Sequence, residues 1–142
     1  MKPYIRKVNY YECDRMGVVH HSNYVRYMEE ARIDLQEQLG YGFEKMEADG
    51  LVSPVISVEV EYKATTTFPD IIEISVSLVE MSALKLKFAY EMKVGGHLVC
   101  KASSTHCFLE DGRPVVYAGR YPEFTRRLIE EAGTDALKDG LK

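Results

Sequence analysis

The feature that most restricts this chain is an alternation of apolar and polar residues that returns three times between residues 56 and 93. Ile56, Val58, Val60 and Tyr62 alternate with Ser57, Glu59, Glu61 and Lys63. Ile72, Ile74, Val76 and Leu78 repeat the pattern, and Leu84, Leu86, Phe88, Tyr90 and Met92 carry it between Lys85, Lys87, Ala89, Glu91 and Lys93. A period of two sends successive side chains to opposite faces, so each segment predicts a strand with one apolar and one wetted face. Gly95-Gly96 predicts a tight hairpin, because both residues accept positive φ, and residues 98–109 return as a fourth long strand. The apolar face of such a sheet must be covered by something.

The cover lies upstream. Tyr24, Tyr27/Met28, Ala31, Leu35 and Leu39 recur at three- and four-residue spacing, which predicts one apolar helical face. Ser22 is the expected N-cap, its hydroxyl accepting from an amide of the first turn, and Gly40 and Gly42 end the helix. Residues 3–11 read as a strand ahead of it, and Cys13-Asp14-Arg15-Met16-Gly17 as a turn. After Pro122, residues 123–132 predict a short second helix, and the last ten residues, with two glycines and mixed charge, are expected to fray. The order is β-α-β-β-β-β with a short C-terminal helix. It describes a single α+β domain over residues 1–142, with its core at about 3–122 and a C-terminal helix and tail at 123–142.

Composition excludes several function classes. A net charge of −4 speaks against a nucleic-acid binder, and no apolar run approaches the roughly 20 residues needed to cross a bilayer. Cys13, Cys100 and Cys107 form no CxxC pair, and no secretory leader pattern is present; reduced thiols in the cytoplasm are the expectation. The adjacent His20 and His21, with Cys13 and Asp14 nearby, lack the paired spacings of a zinc site, so neither metal nor cofactor is expected.

Reactive side chains concentrate between Glu12 and Tyr24, just ahead of the long helix. A helix start presents unpaired amides and the positive end of the macrodipole, both suited to a developing oxyanion. A carboxylate beside such an amide is a minimal device for acyl transfer: Asp14 attacks or activates water while the amide holds the tetrahedral oxygen. By position alone, Asp14 also reads as a turn or capping residue.

The string Asp14-Arg15-Met16-Gly17-Val18-Val19-His20-His21-Ser22-Asn23-Tyr24, followed by Tyr27-Met28-Glu29-Glu30-Ala31-Arg32, resembles the signature of the 4-hydroxybenzoyl-CoA thioesterase-like hotdog family. Gly112-Arg113-Pro114-Val115 matches a turn common after the last strand of these proteins, so the likeness runs from Tyr4 to Pro122. The resemblance implies a hotdog fold, its sheet wrapped around the long helix, and active sites at the interfaces of a homodimer or homotetramer. It implies hydrolysis of acyl-CoA to acid and CoA, with Asp14 as catalytic carboxylate and the His21 backbone N–H polarising the carbonyl. Gly17 would let the chain pass close to substrate, and Val19, Ser22, Asn23 and Tyr24 would line or brace the acyl pocket. CoA phosphates could meet Lys63, Lys85, Lys87, Lys93, Lys101 or Arg113, whose bland reading is a solvated strand face; Ser103-Ser104-Thr105 reads as strand surface. Cys13 stands where many members have Thr, and Ala64-Thr65-Thr66-Thr67 replaces a stretch where many place a proline, near an expected subunit contact or ligand edge. Two alternatives stay open: an acyl-CoA-binding hotdog protein without turnover, and a hotdog hydratase, whose Asp-x-Asn-Pro-x-His pattern the chain lacks.

Overall fold

The structure, a computed structural model, describes residues 1–140. In chain order its elements are β1 (Tyr4–Lys7), a 3-10 turn (Tyr10–Glu12), α1 (Ser22–Gln38), α2 (Phe43–Ala48), β2 (Leu51–Val52), β3 (Val55–Tyr62), β4 (Ile71–Met81), β5 (Lys85–Val94) and β6 (His97–Cys107). They continue with β7 (Leu109–Glu110), β8 (Arg113–Pro114), α3 (Tyr117–Arg120), α4 (Pro122–Ala132) and α5 (Asp135–Asp139). The main sheet runs β1-β4-β5-β6-β3 with every neighbour antiparallel, and a small second sheet joins β2, β7 and β8.

The period of two in β4 and β5 does what it predicts. Ile72, Ile74 and Leu78, with Leu86, Phe88, Tyr90 and Met92, share one buried core with Tyr24, Tyr27, Met28, Ala31 and Leu35 of α1. Each of the larger side chains contributes about 1.5–3 kcal/mol when fully buried, and Phe108, Tyr117, Phe124 and Leu128 extend the same core. Gly95 and Gly96 take φ of +57° and +79° in the β5–β6 hairpin, the turn whose twist matches its strands. The helix ends as its glycine requires: Gly40, at φ +82°, donates to Glu37 O, and Tyr41 N–H reaches back to Gln36 O at 2.9 Å. Arg127 of α4 donates to Leu39 O at 2.6 Å, adding a cation at the same end. A sheet curled about one long helix is the hotdog arrangement.

The structure corrects four expectations. The first strand stops at Lys7, because Val8 N–H turns to Asp70 O and the chain enters the 3-10 turn. Ser22 is the first helical residue rather than the cap; His21 holds the cap position with helical φ and ψ. β3 alternates in sequence but is exposed along both faces, with only Val60 half-buried. It is the outer strand, paired on one side by β6 alone. The tail is anchored rather than frayed through residue 140, since Thr134 N–H donates to Leu78 O and Leu137 packs against the core; residues 141–142 lie outside the described part. No helix among the described residues is long and apolar enough to cross a membrane.

Candidate active site

Glu12 organises the segment that precedes α1. Its buried carboxylate receives two N–H groups of Arg6 at 2.9 and 2.7 Å and the Asn9 amide at 2.7 Å. Its backbone carbonyl accepts from Asn23 Nδ2 at 2.8 Å and from His20 N–H at 2.9 Å. Arg6 also reaches Glu30 of α1 at 2.8 Å. Strand, loop and helix start are thereby fixed to one another by charge-assisted bonds whose rupture would strand a buried charge.

Residues 13–19 form a small closed loop. Cys13 and Val19 bridge across its base, Asp14 N–H donates to Val18 O at 2.7 Å, and Gly17 N–H to Asp14 O at 3.0 Å. Gly17 sits at φ +81°, a conformation that side chains resist. The threonine run that departs from the family pattern braces this loop. Thr66 O accepts from Val19 N–H, Thr67 Oγ1 donates to Gly17 O at 2.7 Å, and Thr66 Oγ1 lies 2.7 Å from the Tyr24 hydroxyl.

Asp14 is half-buried, and its Oδ1 accepts from Met16 N–H at 2.8 Å. The turn reading is therefore real, and it occupies one oxygen; among the described residues the other has no hydrogen-bond donor. His21 is exposed, its ring stacked on His20 with centroids 4.1 Å apart. Its carbonyl accepts from Tyr62 Oη at 3.0 Å, while its own N–H meets no acceptor among the described residues. His20 Nδ1 takes over the cap, facing both the Ser22 amide (3.2 Å) and hydroxyl (2.8 Å). The structure thus brings Asp14, Gly17 and the His21 amide to one exposed loop and helix start. Val19, Asn23 and Tyr24 are buried behind them as braces, and burial holds the Tyr24 hydroxyl pKa up. Among the described residues no group of His, Cys, Asp and Glu is arranged to hold a metal.

Two features escaped the sequence. Tyr10 and Tyr11 of the 3-10 turn, with Met16 and Phe68 of the loops, are exposed around the site, apolar surface that no strand or long-helix periodicity reveals. The second is a polar floor beneath α1. From His21 the helix positions four, seven, eight and eleven further on are Val25, Met28, Glu29 and Arg32, one continuous face. It borders a pocket closed by Val55 and Val58 of β3, Tyr90 of β5, and Ser104 and His106 of β6. Ser104, expected on the strand surface, is buried there. Arg32 donates to His106 Nδ1, His106 Nε2 lies 2.6 Å from Ser104 Oγ, and Ser104 Oγ 2.7 Å from Tyr90 Oη. Of the lysines considered for phosphate contact, Lys63 and Lys93 pair with Glu61 and Glu91 at 2.8 and 3.8 Å.

Residues 8–126 match the model of the thioesterase-like superfamily. The chain belongs to that family. As a member of the thioesterase-like superfamily it is a thioester hydrolase by class. A relative in Aquifex aeolicus (strain VF5), provisionally named an esterase, is 37% identical over 112 residues, 79% of this chain and 88% of its own. YbgC of Escherichia coli O6:H1, named an acyl-CoA thioester hydrolase, is 29% identical over 82 residues, 58% of this chain and 61% of its own. The solved structure of a DHNA-CoA thioesterase from Staphylococcus aureus superposes with a TM-score of 0.88 at 26% identity, covering 99% of this chain and 95% of that one.

Proposed function

We propose that this thioesterase hydrolyses acyl-CoA to a carboxylic acid and CoA in the cytoplasm, with Asp14 as its carboxylate catalyst and the His21 backbone N–H as its oxyanion donor. The observation that carries the reading is the pairing of two uncommitted groups at one place: an Asp14 oxygen left free by the turn, and a helix-start amide without an acceptor. The amide polarises the thioester carbonyl, and Asp14 either attacks it, giving a mixed anhydride that water then opens, or removes a proton from the attacking water. CoA leaves as a thiolate, stable enough at a thiol pKa of about 8.5 to need no strong acid. Arg6, Glu12, Thr66 and Thr67 do no chemistry; they hold the loop so that the two groups face the same substrate atom.

The site faces outward in the isolated chain, and β3 supplies what would close it. Val55, Ile56, Val58 and Tyr62 are all exposed along an eight-residue edge, and Tyr62 already touches the His21 carbonyl. An apolar edge of that length invites a second copy, so the proposed working form is at least a homodimer, with a tetramer as a dimer of dimers. Free-thiol release across a panel of acyl-CoAs tests the reading. Turnover by wild type is expected; tight acyl-CoA binding with no thiol released would overturn it in favour of a binding protein. Light scattering that finds a stable, active monomer would overturn the assembly.

A further inference from the structure

Arg32 is 4% exposed, yet it makes no ion pair among the described residues. Its guanidinium lies over the Phe43 ring at 5.0 Å and donates once, to His106 Nδ1. Glu29 lies on the same wall but is exposed and forms no ion pair with it. A buried cation whose nearest carboxylate, Glu29, acts on it only through space and from the exposed rim is an unfavourable arrangement, and it is relieved where a ligand supplies a contacting charge.

The hydrogen bonds around it leave donors over. A guanidinium only donates, so His106 must accept at Nδ1 and carry its proton on Nε2. Nε2–H then points at Ser104 Oγ, 2.6 Å away. Ser104 and Tyr90 share a single contact of 2.7 Å. That contact uses one of their two hydroxyl hydrogens, so the other is free for a ligand. Burial, together with the Arg32 charge, lowers the His106 pKa to about 3, which keeps this direction of donation fixed at any physiological pH. The cavity beside these groups is about 40 Å³; since one water needs at least ~10–15 Å³, it has room for a carboxylate or for about two or three waters.

The cavity lies on the same helix face as the proposed oxyanion donor. Eleven residues separate His21 from Arg32, about 16 Å of helix, and Ser104, paired with Val58, lies four strand residues, about 13 Å, from the Tyr62 that meets the His21 carbonyl. Val25 and Val58 form the apolar stretch between, and Val55 lies opposite His106.

We propose that this chain prefers acyl groups bearing a second carboxylate, which docks on Arg32 and the Ser104–Tyr90 hydroxyl pair while the thioester sits at His21. The proposal rests on the acyl-CoA thioesterase reading. A medium-length diacid spans the distance with its methylenes along the valines and neutralises the buried charge with a charge-assisted bond.

Adipoyl-CoA and hexanoyl-CoA, equal in carbon count, provide the test, with benzoyl-CoA and 4-hydroxybenzoyl-CoA as neutral controls. Wild type should favour adipoyl- over hexanoyl-CoA at least ten-fold in kcat/KM. Arg32→Met should collapse that ratio at least ten-fold, chiefly through KM, and Arg32→Lys should restore part of it. If Arg32→Met does not fold, Ser104→Ala should lower the same ratio several-fold. Equal rates on the matched pair by wild type, a phenol-bearing substrate outrunning the carboxylate, or Arg32→Met and Ser104→Ala slowing both members alike would overturn the proposal. In each of those cases wild type still releases thiol and the thioesterase reading survives; hydrolysis of none of the four would sink both.

Discussion

The two ends of one helix face are built in opposite ways. At its start, Asp14, Gly17 and the His21 amide come from a single stretch of eight residues, held largely by backbone bonds and half-buried to exposed. Three turns on, Arg32, Tyr90, Ser104 and His106 come from three elements, meet through side chains alone and are buried. A backbone-made site tolerates sequence change around it as long as the loop closes. A side-chain-made floor has no substitute for any of its members. In the proposed mechanism, reaction chemistry belongs with the first and substrate choice with the second.

Asp14→Asn tests the first end most severely. The amide keeps an oxygen for the Met16 N–H, so the turn should persist and the melting temperature should hold, while nucleophile and base are both lost. A fall in kcat of about a hundred-fold or more, roughly 2.7 kcal/mol in barrier, is expected; a mutant that keeps more than about a tenth of the rate would leave Asp14 a turn residue only. The buried end should be the one that acid weakens. His106 titrates near 6.5 in the unfolded chain but only at about 3 when buried beside Arg32, so the unfolded state binds the extra proton between those values. Stability contributed above pH 6.5 should be lost as pH falls toward 3, with a slope of up to about 1.4 kcal/mol per pH unit. Melting curves from pH 7 to 4 should show a shallower decline for His106→Gln than for wild type; parallel curves would mean another group governs the acid limb.

Smaller effects separate backbone from side chain within the loop. At Gly17 an added Cβ meets open space, so Gly17→Ala should register only the strain of φ +81°, about 1 kcal/mol, read as a drop of a few degrees in melting temperature. A much larger drop would show that the loop tip is packed against something. Ser22→Ala should change stability by no more than about 0.5 kcal/mol, because Ser22 is not the cap. A loss of 1 kcal/mol or more in chemical denaturation would return the capping role to it.

The strands, the long helix and the helix-start motif were legible because each is a local pattern: a period of two, a period of 3.6, or a contiguous string. β4, β5 and α1 behave as their periodicity dictates, and Gly40 and Gly95-Gly96 punctuate where their freedom is needed. What could not be read was decided by neighbours distant in sequence. β3 carries the same alternation as β5, but its place at the sheet edge leaves both faces open. Ser104 sits in a polar run that looks like surface until β5 and α1 are laid over it. Arg32 closes a helix motif in the sequence, and nothing local tells that it will be buried without a carboxylate.

The main sheet has two edges of unequal kind. β1 offers four residues, with Arg6 committed to Glu12 and Glu30, and past it β4 is met at Leu78 by Gly133 and Thr134 of the tail, whereas β3 offers eight with little to hide them. Self-association through β3 along a two-fold axis would consume the longer edge strand, and growth would end at a finite particle. A sheet with two long edges has no such stopping point and extends into a fibre. By this logic the brevity of β1 protects solubility: an N-terminal extension that prolonged it by several strand-forming residues would turn a self-limiting assembly into an open-ended one.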